Sequence, residues 1–211
     1  MDTITSYKNR AIASLDNRWT TPVLCTLTYL FIAVAIDVVT DKAITNEVMQ
    51  TVLNLALNVA LLPLVWSFTT LFLDFIREGQ TSVSALFHGY RNPWLPKSFL
   101  LPLLVNIYIF LWTLLLIIPG IIMSYAYAMT YYIYKDHREM GCNKAIGESI
   151  RLMDGHKWQL FVLDLSFLGW LLLSILTLGI GLLWLIPYWS TAHAHFYEDL
   201  IREKNAEIQP A

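Results

Sequence analysis

The sequence predicts an all-α membrane protein, and three observations support that prediction. Of the 211 residues, 56% are hydrophobic and only 14% are charged, whereas a soluble domain carries about 25% charged residues. The deficit is local, because residues 52–73 and residues 98–134 contain no Asp, Glu, Lys or Arg. Each of these runs is at least as long as the ~20 apolar residues that a helix needs to cross a bilayer core. A membrane protein is therefore favoured over a soluble domain.

The apolar runs divide into six predicted transmembrane helices. As a single helix the run 98–134 would be ~55 Å long, nearly twice the ~30 Å thickness of the hydrocarbon core, and the run 158–200 is longer still. The Pro119–Gly120 pair and the glycines within residues 179–181 predict turns near the middle of these runs. Two very long, kinked helices are the alternative. The predicted spans are 19–39, 50–76, 98–117, 119–135, 158–177 and 181–203.

The basic residues predict the orientation of these spans. With the N-terminus inside, thirteen of the fourteen Lys and Arg residues fall in inner segments, and only Lys42 falls in an outer loop. Cytoplasmic loops carry the excess of Lys and Arg, so both termini are predicted to be cytoplasmic. The first apolar run is longer than the ~7–15 residue core of a signal peptide. We therefore expect it to be a retained helix.

An internal repeat links the charged segments that follow the apolar runs. "FLDFIREG" (72–79), "KDHREMG" (135–141) and "FYEDLIREK" (196–204) each close a predicted hairpin. In each predicted unit a short interfacial amphipathic helix precedes an outward span, an inward span and a charged stop. Asp74 and Arg77 are expected to pair with each other at i, i+3. The chain is predicted to be one membrane domain over 1–211, with units at about 6–78, 81–139 and 142–203.

The last fifty residues of this pattern resemble a known family. Residues 151–200 contain a "GHK" turn, "LSFLGW", "TLGIGLLWLIPY" and a closing "FYEDL". This segment is similar to a bacterial integral membrane family known as domain of unknown function 975. The matching residues are Gly155, His156, Lys157, Ser166, Phe167, Gly169, Trp170, Gly179, Gly181, Pro187, Tyr188, Thr191, Phe196, Tyr197, Asp199 and Leu200. The resemblance implies a multi-pass protein of the bacterial cytoplasmic (inner) membrane and implies no reaction, ligand or catalytic residue.

Polar residues inside the predicted spans are the candidate functional residues, because ionisable groups are rare in membrane helices. Asp164 lies seven residues past Lys157, ~10 Å inward at helical rise, and His195 is expected at a similar depth. Asn106 aligns with Asp164 in the repeat. His193 is about 200° from His195 around the helix, so the two cannot share a face.

The last predicted span carries a stripe of polar residues. Tyr188, Thr191, His195 and Asp199 follow i, i+3, i+7 and i+11, which is one face of a helix. Together with Asp164 and Asn106 they form a predicted layer for binding an ion, a lipid headgroup or a proton. The alternative is that these groups only bond helix to helix, with Asp164 paired to a histidine or a tyrosine.

Two classes of function remain open on this sequence. The first is a small transporter, channel or lipid-handling protein built around the polar layer. The second is a structural or accessory membrane protein that assembles with or regulates a partner. No catalytic motif, metal-ligand pattern or cofactor motif was found, so no enzyme is expected. Membrane lipids, a second copy or a membrane partner protein are the expected partners, with Ala56 and Ala60 as a small-residue helix contact.

Overall fold

The computed structural model describes residues 3–43, 46–91 and 95–208. These residues form helices joined by short connections, with no strand in the described ranges. A 3-10 helix, Val83–Tyr90, lies between α4 and α5. The α-helices in chain order are α1 (Ile4–Leu15), α2 (Thr20–Ala43), α3 (Glu47–Ala60), α4 (Leu62–Glu78), α5 (Leu95–Leu115), α6 (Ile117–Ala126), α7 (Thr130–Asp136), α8 (Cys142–Leu152), α9 (Lys157–Leu165), α10 (Leu168–Leu176) and α11 (Leu182–Ile208).

Four helical segments of the described chain are long and apolar enough to cross a membrane. They are Thr20–Asp41, Glu47–Glu78, Leu95–Leu115 and Lys157–Leu176. The second joins α3 to α4, and the fourth joins α9 to α10. The chain therefore has the helices of a membrane protein, and its all-helical class agrees with the sequence prediction.

The other two predicted spans, 119–135 and 181–203, do not meet the same criteria of length and composition. The first is interrupted after Ala126, so that α6 and α7 are each too short to cross a bilayer alone. The second belongs to α11, which is 27 residues long but carries histidines and carboxylates in its C-terminal half. A count of six spans is thus not confirmed by the helices of the described residues.

The two long apolar runs are bent into hairpins rather than continuing as kinked helices. In the first, the break is at Leu116, whose backbone is extended, and not at Pro119–Gly120 as predicted. Pro119 instead occupies the first turn of α6, where its missing N–H leaves no helical bond unmade. In the second, the turn lies where the glycines predict it, and Gly179 adopts a φ of +86° between α10 and α11.

Both hairpins bring a glycine against a small hydroxyl residue. A Cβ on Gly120 would lie 2.8 Å from the Cα of Thr113, and a Cβ on Gly181 would lie 2.9 Å from the Cα of Ser174. Each glycine follows its partner by seven residues. Only glycine allows the two helices of each hairpin to approach this closely.

The bundle has two unlike ends. We call the first the charged end: it holds the close of α4, α7 and the C-terminal half of α11, together with α1, the 3-10 helix and α8. Its interior includes Tyr7, Phe72 and Phe196, all 0% exposed. We call the second the apolar end: it holds α3, the α5–α6 turn and the α10–α11 turn. There Leu114 is 73% exposed and Leu178 is 95% exposed.

A short helix precedes three of the apolar helices. The helix α1 comes before α2, the 3-10 helix comes before α5, and α8 comes before α9. In α8 the buried residues are Cys142, Ala145, Ile146, Ser149 and Leu152. That spacing covers one face of the helix and leaves the opposite face polar.

Candidate functional site

Asp164 bonds two side chains of the last helix. Its carboxylate Oδ1 accepts a hydrogen bond of 2.7 Å from the Trp189 indole N–H. The same oxygen lies 2.6 Å from Nε2 of His193. Trp189 and His193 are one turn apart on α11, and their rings lie 4.5 Å apart between centroids. Asp164 on α9 is thus held by one face of α11.

His195 lies in a different contact, as its rotation from His193 predicts. Its Nε2 atom is 2.9 Å from Oγ of Ser14 on α1. The side chain faces α1, whereas His193 faces α9. The structure therefore does not bring Asp164 and His195 together.

Asp199 is joined to α1 one turn further along the same helix face. Its two carboxylate oxygens accept hydrogen bonds of 2.9 and 2.5 Å from the Arg10 guanidinium. The Arg10 guanidinium also stacks over the Tyr7 ring at 5.0 Å. Bidentate arginine–carboxylate pairs have a defined geometry, so this contact fixes α1 against α11.

The remaining predicted residues bond or pack within the bundle. Thr191 donates a hydrogen bond of 2.7 Å to the carbonyl of Pro187, inside its own helix. Asn106 donates one of 2.8 Å to the carbonyl of Pro102, again inside its own helix. Tyr188 packs edge-on against the ring of Phe167, at 4.9 Å between centroids. Thr191 and Asn106 therefore satisfy backbone carbonyls of their own helices, and Asn106 has no recorded bond to Asp164 in the described residues.

A cavity beside Asp164 is almost wholly apolar. It has a volume of about 310 Å³, and Asp164 is its one ionisable lining residue. The other walls are Phe167, Leu168, Leu171, Leu182, Leu185, Ile186 and Trp189. His195 is absent from this lining. The predicted layer is thus divided into an Asp164 cluster between α9 and α11 and a separate row of contacts between α11 and α1.

The three charged closing segments converge on Arg77. The Arg77 guanidinium donates hydrogen bonds of 2.6 and 2.8 Å to the Asp136 carboxylate and one of 2.6 Å to Glu198. Lys135 pairs with Asp74. The predicted i, i+3 pair of Asp74 and Arg77 is wrong, because each side chain finds a partner on a neighbouring helix instead.

Asp136 is the acceptor at the centre of this network. The Tyr197 hydroxyl donates a hydrogen bond of 2.8 Å to it, beside the two bonds from Arg77. Partial burial acts to raise the pKa of the carboxyl, but the bonds from Arg77 and Tyr197 hold that pKa below its usual value. Asp136 therefore stays ionised at neutral pH and joins α4, α7 and α11.

Several of these partners were missed by sequence reasoning. His193 was separated correctly from His195, yet nothing in the spacing showed that His193 rather than His195 faces Asp164. Ser14 and Arg10 lie outside the predicted spans and were not considered as partners. The similar sequences of the three closing segments were the available signal that Arg77, Asp136 and Glu198 are related in position.

The described residues hold no group of three or more His, Cys, Asp or Glu side chains placed to bind a metal. The cysteines Cys25 and Cys142 are both buried and unpaired with each other.

Comparison with known proteins places the second half of the chain in context. No curated protein and no solved structure matches the sequence. One family model matches residues 113–204, from the last residues of α5 into α11. Its span includes the Asp164 cluster, Asp136 and Asp199. The C-terminal part of the chain is thus similar to a family described as "Protein of unknown function (DUF975)".

Proposed function

We propose that the protein is a structural or accessory membrane protein that assembles with a partner, with no transport or catalytic activity of its own. The observation that carries this proposal is the bonding of Asp164. Its carboxylate contacts both His193 and Trp189 within the bundle, and the cavity that it lines is apolar. A residue on an ion or proton path needs polar neighbours along that path, and the walls of this cavity do not supply them.

The proposed topology is six spans in three hairpins, with both termini in the cytoplasm of a bacterium and the spans in its inner membrane. Two observations support it. The closing segments at Arg77, Asp136 and Glu198 meet in one network, as expected if all three hairpins close on the same side. The hairpins α5–α6 and α10–α11 also share the seven-residue spacing from a hydroxyl residue to a glycine.

A partner within the membrane completes this proposal. Ala56 and Ala60 are both exposed on α3, one helical turn apart. Small residues at this spacing allow close approach of a second helix. A second copy of the chain and a different membrane protein are the two partners that fit, beside the lipids themselves.

Lipid handling is the second candidate function, and one observation favours it. A groove of about 390 Å³, lined almost entirely by apolar atoms, lies between α10, α11 and the start of the chain. Trp19, Trp170 and Trp184 are part of its lining. Tryptophan is enriched at membrane interfaces, so a groove of this composition suits an acyl chain.

The decisive experiment measures proton flux and stability in the same variants. Purified protein in lipid vesicles is expected to give no faster proton uptake under an imposed potential than empty vesicles. Asp164→Leu should lower the unfolding free energy in detergent by about 1 kcal/mol, because His193 and Trp189 lose their acceptor. The loss is measured as a lower melting temperature. Asp154→Leu, at a carboxylate that is 83% exposed, is the matched control and should change neither property.

Protein-dependent proton uptake that Asp164→Asn abolishes would overturn the accessory role and restore the transport hypothesis. The topology has its own test in spheroplasts. A membrane-impermeant maleimide should label Glu47→Cys, between the first two predicted spans, and should leave Glu139→Cys unlabelled until the cells are lysed. Labelling of both sites from outside would contradict the proposed orientation.

A further inference from the structure

A second cavity lies at the charged end, away from Asp164. It has a volume of about 340 Å³ and is enclosed by α4, the 3-10 helix and the segment that follows α7. The side chains that matter for its chemistry are Ser67, Thr70, His88, Arg91, Lys135 and Arg138. Unlike the cavity beside Asp164, this one exposes slightly more polar than apolar surface.

The charges around this cavity leave a surplus of cations. Arg91, Lys135 and Arg138 face two carboxylates, Asp74 and Glu78. Asp74 is already engaged by the Lys135 ammonium group. Arg91 takes part in none of the ion pairs found among the described residues, so its guanidinium remains able to bind an anion.

The positive charge around the cavity affects the pKa of His88. The pKa of its imidazole is lowered, first by burial and then by the positive charges of Arg91 and Lys135, and Asp74 offsets only part of that effect. His88 is therefore neutral at pH 7, and a neutral imidazole offers one N–H donor. The potential at this wall of the cavity is positive.

The rigid side of the cavity is built by close backbone contacts. The Gly89 N–H donates a hydrogen bond of 2.8 Å to Oγ of Ser67. The Gly89 carbonyl accepts one of 2.6 Å from Ser98. A Cβ at Gly89 would lie 2.5 Å from the carbonyl oxygen of Pro63, so the 3-10 helix lies directly on α4. This contact holds the backbone of the 3-10 helix, which carries His88 and ends just before Arg91, against α4.

The cavity has an apolar wall on a candidate membrane span and a basic wall beside it. Its apolar wall is formed by Trp66 and Leu71, which lie on the candidate span Glu47–Glu78. Its basic side chains come from segments just beyond the apolar helices. A ligand with a phosphate at the water-facing side and an apolar body against α4 would complement both walls.

We propose that the cavity between α4, the 3-10 helix and the end of α7 binds a phosphate-bearing anion, with Arg91 and Arg138 as its charged contacts and His88 as a further hydrogen-bonding group. The same chemistry is offered by the headgroup of an anionic phospholipid and by a free phosphate. The phospholipid also carries an apolar body that can contact α4, whereas a free phosphate does not. No reaction is attached to this site.

The test compares wild type, Arg91→Gln and Lys144→Gln in neutral detergent. Lys144 is an exposed base on α8 that does not line the cavity, so it controls for general attraction of anions. Binding is measured by titration with phosphatidylglycerol micelles, with phosphatidylcholine micelles, and with inorganic phosphate against chloride at matched ionic strength. Melting temperatures without ligand establish that each variant is folded. Arg138→Gln is the second lining variant, used if Arg91→Gln fails to fold.

Phosphatidylglycerol is expected to bind wild type, with binding weakened about tenfold in Arg91→Gln and unchanged in Lys144→Gln. That result supports the site and identifies a lipid headgroup as the source. The same dependence on Arg91 with inorganic phosphate also supports the site and identifies a free phosphate. Equal binding of phosphatidylcholine, equal binding by wild type and Arg91→Gln, or no binding of either phosphate probe would overturn the proposal.

Discussion

The charged end and the apolar end of the bundle are held together by different means. At the charged end aromatic rings from distant segments stack, as Tyr132 does with Tyr197 at 5.1 Å, and ion pairs connect α1, α4, α7 and α11. At the apolar end the recorded contacts are mainly local, within the α5–α6 and α10–α11 hairpins, and large side chains such as Leu176 are 79% exposed.

The difference agrees with the proposed topology, in which the apolar end meets lipid and the charged end meets water. Lipid tails are as apolar as leucine, so burying an apolar side chain between helices gains little hydrophobic free energy inside a bilayer. Where water reaches the protein, burial of the same side chain is strongly favourable. A chain with one wet end can therefore concentrate its tertiary stability there and leave the lipid-facing helices loosely associated.

The largest expected effect tests this contrast directly. Phe72→Ala removes a ring that is 0% exposed at the charged end and should cost about 3–5 kcal/mol of unfolding free energy. Phe31→Ala removes a ring that is 71% exposed and should change stability by less than about 0.5 kcal/mol. Denaturant titration in detergent measures both. Similar losses of unfolding free energy in the two variants would contradict the contrast between the charged end and the apolar end.

The next effect concerns the close approach of the 3-10 helix to α4. Gly89→Ala places a methyl group against the Pro63 carbonyl and should destabilise the protein by about 1–3 kcal/mol, because the two segments must separate. Gly147→Ala is the matched control, since a Cβ there meets nothing within 4 Å. The control should be neutral or slightly stabilising in the same titration, since alanine is the better helix former.

A smaller effect is expected from Arg77→Gln. Loss of the guanidinium leaves Asp136 and Glu198 facing each other, with a cost on the order of 1 kcal/mol because Arg77 is partly exposed to water. The folded-state pKa of Asp136 lies below its unfolded value. The stabilisation is therefore fully present above about pH 4 and is lost as the pH falls through the folded pKa.

The difference in melting temperature between wild type and Arg77→Gln should accordingly shrink as the pH is lowered from 7 towards 3. Arg151→Gln, at a side chain that is 75% exposed, is the control and should show little difference at either pH. A difference for Arg77→Gln that is constant across this range would show that the charge of Asp136 does not contribute.

The smallest effect is expected where α8 meets the C-terminal turns of α11. The Lys204 ammonium donates a hydrogen bond of 3.1 Å to Glu148, and this bond, assisted by nearby bases, lowers the pKa of the Glu148 carboxyl. Lys204→Gln should cost only about 0.5 kcal/mol, because the Lys204 side chain is 42% exposed to water. Melting temperatures at low and high salt check this, since the loss should disappear when salt screens the pair.

The helical class of the molecule follows from its uncharged runs alone. The turn at Gly179 was also predictable, because a positive φ between two apolar stretches favours glycine. The break at Leu116 was not, since Pro119 is compatible both with a turn and with the first turn of a helix. The interruption between α6 and α7 has no glycine or proline in residues 127–129 to announce it.

The partners of the polar residues were less predictable than the helices. Spacing shows that His193 and His195 face different ways, but the rotation of α11 against α9 decides which of them meets Asp164. The rotation depends on packing between segments far apart in sequence. For the same reason, Asp74 and Arg77 looked like a local pair, whereas Arg77 bonds Asp136 and Glu198, which lie 59 and 121 residues away.

Because of that separation in sequence, the residues of the Arg77 network are synthesised at different times. Asp136 is synthesised 59 residues after Arg77, and Glu198 is synthesised 121 residues after it. Before the last helix is synthesised, Asp136 is the acidic partner of this network that is available to Arg77, and Tyr197 cannot yet donate its hydrogen bond to Asp136. The network is thus completed when α11 is in place. A chain truncated before Tyr197 would lack the hydrogen bond from Tyr197 to Asp136 and the ion pair between Arg77 and Glu198.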